Sequence, residues 1–247
     1  MNPVAQGGRG GKPKCESLLS GLTSATARVE SGTMDVRIEN LRIRIPPTDR
    51  TLFFLPELRV ASREKVLIQG ASGMGKTTLL HCLAGLRPPQ EGRTLADGRD
   101  LYRLGERDRD RFRRDELAVV FQKLNLLAHL SSLENVMLMR SGGRFVGRER
   151  AREALAAVRM THRASVLAAR LSQGEQQRVA VARALAGTPR LILADEPTSS
   201  LDDGNADVVF EALLAAARQA TLIVVSHDRR LQGRFARCVR FEEAATS

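Results

Sequence analysis

The sequence predicts an α/β fold built on a buried parallel sheet, and three observations predict it. Short apolar runs recur at Lys65–Gln69, 117–121, 191–194 and Thr221–Val225 without polar alternation. Each therefore reads as a strand covered on both faces. Each run ends on polar or glycine residues: Gly70, Gln122, Asp195-Glu196 and Ser226-His227-Asp228. The carboxyl ends of such strands are where open α/β sheets place their chemistry. Between the runs lie breaker-free segments that open on capping residues and close on Gly or Pro, as helices do.

Composition bounds the rest. The 247 residues suit one large α/β domain or two small ones, and 43% hydrophobic content is enough for a core, which excludes wholesale disorder. No apolar run approaches a bilayer span and no secretory pattern opens the chain, so the expectation is a soluble protein whose membrane role comes through a partner. Three scattered cysteines, Cys15, Cys82 and Cys238, form neither a disulfide framework nor a zinc pattern and suit a reducing cytoplasm. The net charge of +11 invites a nucleic-acid or anionic-membrane reading. Yet the basic residues are nearly all Arg interleaved with acids, and stacking aromatics are scarce, with one Tyr and no Trp. No nucleic-acid partner is expected.

In chain order, residues 1–33 are rich in Gly, Ser, Lys and Arg without apolar periodicity and read as a disordered tail. Met34 begins an alternating strand pattern carrying Val36, Ile38, Leu41, Ile43 and Ile45, which makes Met34 a candidate functional start. Pro46-Pro47-Thr48-Asp49 reads as a turn, and 52–55 and 58–61 as short β segments. Strand Lys65–Gln69 then runs directly into Gly70-Ala71-Ser72-Gly73-Met74-Gly75-Lys76-Thr77.

That octapeptide is a complete G-x-x-x-x-G-K-[ST] motif in strand-to-helix context. Its glycines let backbone N–H groups converge on phosphate oxygens. Lys76 reaches the β- and γ-phosphates, the Thr77 hydroxyl coordinates Mg2+, and Thr78 adds a contact on the α-phosphate side. A chance glycine-rich turn would not match every fixed position with both flanks correct, so this is a nucleotide site. His81 and Cys82, on the helix expected over 78–86, read as packing residues.

Pro88 and Pro89 follow, then a hairpin or loop over 91–101 with Asp97-Gly98 at its turn. Residues 104–116 mix opposite charges at helical spacing, a solvated and self-paired face. Gln122 ends the next strand; such a Gln is commonly a loop residue, but beside a phosphate site it can reach metal or water. Ser131-Ser132-Leu133-Glu134 is a capping box for a helix over 133–140, and a further helix spans 148–160.

Ser172-Gln173-Gly174-Glu175 is a second capping box, and the helix it opens runs to Ala186 before Gly187 and Pro189 stop it. The strand at 191–194 delivers the carboxylates Asp195 and Glu196. A helix over 207–218 and the strand Thr221–Val225 follow, with Ser226-His227-Asp228 at the strand end. A lone His there is more often structural than catalytic, but its layout repeats that of Gln122 and Asp195-Glu196. Residues 237–241 read as an edge strand and 242–247 as a frayed tail.

Taken together, GASGMGKTT, VFQ, LSQGEQQRVAVARAL, LILADEPT, SSLD and VSHD, in this order, resemble the ATP-binding cassette of ABC transporters. They look like its Walker A, Q-loop, signature, Walker B, D-loop and H-switch, and the resemblance covers about 34–241. It implies a P-loop NTPase with a RecA-like core, an antiparallel β subdomain and an inserted α-helical subdomain at about 125–185. Within the family, FQKLNLLAHLSSLENVML and ADEPTSSLD look most like the lipoprotein-release and macrolide-export type, with the cell-division cassette close by.

The resemblance also implies roles. Asp195 would hold Mg2+, Glu196 would be the base or orienter for the attacking water, His227 would contact the γ-phosphate, and Gln122 would sense metal and water. Ser172, Gln173, Gly174 and Glu175 would face the nucleotide of a second copy of the chain, and Asp202 would contact that copy's Walker A loop. Two ATP would be sandwiched head to tail. Gln173 departs from the commoner Gly. The aromatic that normally stacks on adenine should fall near 45–47, where none stands; Phe53 and Phe54 are the nearest substitutes. The chain stops soon after its last strand, without the C-terminal regulatory domain of some sugar-import cassettes.

The function implied is an ATPase subunit driving a separate membrane permease, cytoplasmic and peripheral at the inner face of the membrane. The alternatives are an ATP-gated regulatory cassette of the cell-division type that signals without transport, and a soluble cassette acting on DNA or ribosomes. The last class usually carries paired cassettes, coiled-coil arms or zinc modules, none of which is seen.

Overall fold

In the computed structural model, Leu191 and Leu193 enter one hydrophobic core while Ile192 and Ala194 enter another. Both faces of this strand are covered, so both sets of side chains must be apolar, and polar alternation disappears. The structure describes residues 15–17, 33–45, 50–71, 73–141 and 143–241.

The chain runs through β1 (Cys15–Ser17), β2 (Val36–Ile45), β3 (Arg50–Val60) and β4 (Lys65–Gln69) into helix α1 (Lys76–Leu83). The hairpin β5 (Glu91–Ala96) and β6 (Arg99–Asp100) follows, then α2 (Glu106–Asp115) and β7 (Leu117–Val120). Helix α3 (Ser132–Met137), a small hairpin of β8 (Arg140–Ser141) and β9 (Arg144–Phe145), α4 (Arg148–Ala157) and α5 (Gln173–Leu185) form the helical insertion. The core resumes with β10 (Leu191–Asp195), α6 (Asp203–Ala216), β11 (Thr221–Val225) and β12 (Arg237–Arg240).

Six parallel strands form the central sheet in the order β1-β12-β4-β11-β10-β7. One face packs α3 to α6; the other packs α1, α2 and an antiparallel sheet of order β3-β2-β5-β6. The register sets Ile68, Val225 and Asp195 side by side at the carboxyl ends of β4, β11 and β10. The loops leaving these strands are therefore neighbours, and that places the site. Among the described residues no helix is long and apolar enough to cross a membrane.

Several expectations need correction. Within 1–33, Cys15–Ser17 forms a strand parallel to β12, and Thr33 is buried, its carbonyl accepting from the Arg190 guanidinium. Consequently β12 is not an edge strand: β1 covers a backbone row that would otherwise be unpaired. The rest of 1–33, the turn at 46–49 and the tail 242–247 lie outside the described residues. The segments expected at 52–55 and 58–61 are one strand, because Pro56 falls between the paired residues Leu55 and Glu57, opposite Asn40. Asn40 is bulged with φ 49°, and this accounts for the inward set stepping from Ile38 to Leu41 rather than to residue 40. Helix α3 stops at Met137 because Arg140 joins β8, and α6 begins at Asp203, four residues before 207. The turn at Asp97-Gly98 has φ of 48° and 71°, the double positive φ that a tight hairpin of this hand needs.

Candidate functional site

The loop after β4 turns sharply because its glycines permit it. Gly73 and Gly75 have φ of 83° and 86°, and Gly75 is the residue on which α1 starts. Gly70 is needed for a different reason: a Cβ there would lie 2.9 Å from both Cβ and O of Phe241. Ala71 N–H donates to the Met74 sulfur at 3.0 Å, closing the loop on itself. Lys76 Nζ donates to the carbonyls of Gly70 at 2.8 Å and Ala71 at 2.7 Å. Burial pulls this ammonium below the usual lysine range, while Glu196 and Asp195 oppose the shift. Ser72 lies outside the described residues. Thr77 and Thr78 open α1, whose N-terminal N–H groups suit an anion.

Two carboxylates close over the loop from β10. Asp195 is buried and accepts a 2.7 Å hydrogen bond from the Thr77 hydroxyl. Burial raises its pKa despite that bond, with Glu196 adding to the rise. The Thr77 hydroxyl and the buried Asp195 carboxyl, whose charged form desolvation disfavours, are a hard oxygen set, and a divalent cation fits them by supplying charge compensation. Glu196, also buried, sits at φ 49°, an unfavourable region for a residue with a side chain. Its Oε2 accepts from Ser226 Oγ at 2.7 Å, and its Oε1 from the His227 N–H at 3.0 Å. The His227 ring meets Oε1 at 2.6 Å through Nδ1. An ionised Glu196 requires the proton on Nδ1, which leaves Nε2 as the atom presented outward by an exposed ring.

The second capping box is fully formed. Ser172 Oγ accepts from the Glu175 N–H at 3.2 Å, and Glu175 returns a carboxylate to the Ser172 N–H at 2.9 Å. That backbone bond, with a further one from Arg163, holds the Glu175 carboxyl below its usual range although partial desolvation works against it. The start of α5 leans on residues 197–201 of the same chain. Gln173 Nε2 donates to Ser200 Oγ at 3.1 Å, Gln177 Nε2 donates to the Pro197 carbonyl at 2.9 Å, and a Cβ on Gly174 would lie 3.2 Å from Leu201 Cδ2. Asp202 is the cap of α6, accepting from Asn205 N at 2.9 Å and Nδ2 at 2.6 Å, so its carboxylate is occupied by its own helix.

The structure thus brings together Lys76, Thr77, Asp195, Glu196 and His227, while the Ser172 to Glu175 turn and Asp202 lie on the neighbouring surface of α5 and α6. Gln122 is exposed just past β7, and no hydrogen bond joins it to this group among the described residues. Phe53 is buried edge-on against Phe241, 4.6 Å between centroids, so it is not available to stack on a base. Phe54 is 41% exposed, with the Arg42 guanidinium 5.2 Å above its ring.

Sequence reasoning passed over residues that hold these groups in place. Ser226 is fully buried and ties Glu196 to the switch loop. Asp228 accepts from Thr198 Oγ1 at 2.8 Å. Asn135 is buried, with its amide donating to the carbonyls of Leu127, Leu130 and Ser131 at 3.0 to 3.2 Å. Its Oδ1 accepts from Leu127 N–H at 2.8 Å, fixing the segment after Gln122.

This arrangement sits within a known pattern of sequence and structure. The family model described as ABC transporter matches residues 56–199. The lipoprotein-releasing system ATP-binding protein LolD of Syntrophotalea carbinolica is 41% identical over 192 residues, covering 76% of this chain and 85% of the relative. LolD of Gluconobacter oxydans is 38% identical over 222 residues, covering 87% and 96%. A dimeric bacterial ABC transporter cassette superposes with TM-score 0.76 at 32% identity, covering 85% of this chain and 97% of that one. A dimeric ATP-binding cassette in a post-hydrolysis state bound to ADP and Pi gives TM-score 0.73 at 33% identity, covering 80% and 90%.

Proposed function

This chain belongs to the ABC transporter family, and from that premise we propose how its residues carry out the work of a lipoprotein-release type ATPase subunit. It binds and hydrolyses ATP, and it acts as a pair of cassettes coupled to a separate membrane permease. The observation that carries the reading is the convergence of Lys76, the Thr77–Asp195 pair and the Glu196–His227 pair at the adjacent ends of β4, β10 and β11.

Phosphoryl transfer asks for positioning and charge neutralisation more than covalent help. The loop from Gly70 to Thr77 takes the phosphates on its N–H groups, with Lys76 turning from the loop carbonyls to the phosphate oxygens. Thr77 and Asp195 would hold Mg2+, which supplies charge compensation to the phosphates when bound. Glu196, buried beside the loop, accepts a proton from the attacking water or orients it. Its contact with His227 occupies Nδ1 and leaves Nε2 as the ring atom free to meet the γ-phosphate. Ser172 and Gly174 present a helix N-terminus outward as an anion site. The chain's own loop already serves one ATP, so a second copy supplies the phosphate that this turn meets. ATP thereby favours the closed pair and hydrolysis releases it.

The permease is engaged from the membrane side, and the association with the membrane is peripheral. The segment following Gln122 carries exposed Leu127, and the fixed backbone that Asn135 gives it suits a surface that reports nucleotide state to another subunit.

The test is the solution mass of Glu196→Gln protein with and without Mg-ATP, beside wild-type ATPase rates. The variant should shift from monomer to dimer with ATP while the wild type hydrolyses. A variant that binds ATP yet stays monomeric at high concentration overturns the sandwich.

A further inference from the structure

Arg230 lies in the short turn Arg229–Leu231 just past the switch loop. Its guanidinium is spent on one neighbourhood. Nε lies 2.9 Å from each carboxylate oxygen of Asp228, and Nη2 lies 2.7 Å from Oδ2 of the same group. Nη1 donates to Asp203 Oδ1 at 2.7 Å and to the Leu201 carbonyl at 3.3 Å; Nη2 donates to the Thr198 carbonyl at 3.3 Å. Asp228 in turn accepts from Thr198 Oγ1 at 2.8 Å, and its N–H donates to Ser226 Oγ at 3.0 Å.

One side chain therefore joins two separate segments, 198–203 and 226–228. The first contains Asp202 and supports the start of α5, through Ser200 on Gln173 and Leu201 on Gly174. The second contains His227. Arg230 is 39% exposed and Asp203 90% exposed, so the pairing of these two contributes little to stability. What a planar guanidinium gives instead is fixed geometry, which a lysine does not reproduce. The cluster borders a cavity of about 230 Å³ lined by Asp203, Asp207, Asp228, Arg230 and Arg234 among others, so truncating Arg230 widens a cleft rather than emptying a core.

We propose that Arg230 is a positioning residue that ties segment 198–203 to the switch loop, so that a nucleotide engaged by His227 sets the surface Ser172 and Asp202 offer to a second copy of the chain. This rests on the ATP-sandwich reading given above. Without Arg230, each segment would still fold, but nucleotide binding and dimerisation would lose part of their linkage.

The experiment uses the full chain in the Glu196→Gln background, titrating Mg-ATP and reading dimer fraction by solution mass. Adding Arg230→Ala should raise the ATP concentration at half-dimer about tenfold, the scale of lost charge-assisted hydrogen bonds. Arg230→Lys should fall between, and Asp203→Asn, at an exposed carboxylate, should move the midpoint in the same direction if Arg230→Ala does not fold. Affinity of the monomer for a fluorescent ATP analogue, measured at protein concentrations below dimerisation, should stay within about twofold, because none of these side chains meets the loop from Gly70 to Thr77. A loss of monomer affinity equal to the midpoint shift overturns the proposal, as does an unshifted midpoint in both Arg230→Ala and Asp203→Asn. A Glu196→Gln parent that does not dimerise with Mg-ATP overturns the sandwich reading and this inference together.

Discussion

Glu196 is held in an unfavourable backbone region and is bonded on both oxygens, a combination that costs on the order of 1–3 kcal/mol for the backbone alone. Surrounding structure must over-determine it, and Ser226 is the buried part of that structure. Ser226→Ala removes a donor that holds the Glu196 carboxyl in place, so kcat should fall about tenfold, while Ser226→Thr keeps it near wild type. An unchanged kcat in the alanine variant would show that the hydroxyl only fills space. Asp195 makes a different prediction. Burial raises its pKa, so the folded state binds more protons than the unfolded state as pH rises above the ordinary 3.8. Stability is therefore lost as pH rises through the folded pKa. Asp195→Asn should melt above the wild type at neutral pH without nucleotide, with the difference closing towards pH 3.8, and it should lose stabilisation by Mg-ATP; melting curves across pH check both. The convergence of Lys76, Thr77, Asp195 and Glu196 was legible in position, because each stands at or just past a strand end that local spacing marks. Ser226 was not, because its partner Glu196 is 30 positions away and only strand order makes them neighbours.

Elements divide in the same manner. Both capping boxes, Ser131 with Glu134 and Ser172 with Glu175, formed as the spacing predicts, since each bond spans three residues. The start of α6 was missed: Asp203, Gly204 and Asn205 fill its first turn with poor helix formers, and the Asp202 cap that compensates for them is visible only in hydrogen bonds. Strand β1 was missed because nothing in a Gly- and Lys-rich stretch shows period-two alternation. The two boxes allow a matched comparison. Ser131→Ala and Ser172→Ala should each cost about 1 kcal/mol in urea unfolding, the ordinary value of a lost cap. Only Ser172→Ala should also weaken ATP-driven dimerisation of the Glu196→Gln chain. Equal effects of the two on dimerisation would remove the turn at Ser172 from the interface and leave it a cap alone.

At the scale of the whole molecule, the two cores share one sheet, and the nucleotide loops leave its edge between them. The apolar runs announced a doubly covered sheet but not which layer lies on which face, because a strand buried on both sides carries no phase. Nor does any single chain show whether its outward anion site at Ser172 is used. Linkage between folding and association settles it. A ligand bound by one chain raises the melting temperature with ligand concentration alone, whereas a ligand shared between two chains makes melting depend on protein concentration as well. For Glu196→Gln with saturating Mg-ATP, the melting midpoint should therefore climb as protein concentration is raised tenfold, by about 2–4 °C if roughly 1 kcal/mol of association is gained. Adding Ser172→Ala should leave the response to ATP in place and flatten the response to protein concentration. If both variants climb with ATP but neither with protein, the nucleotide serves one chain at a time and the sandwich is overturned.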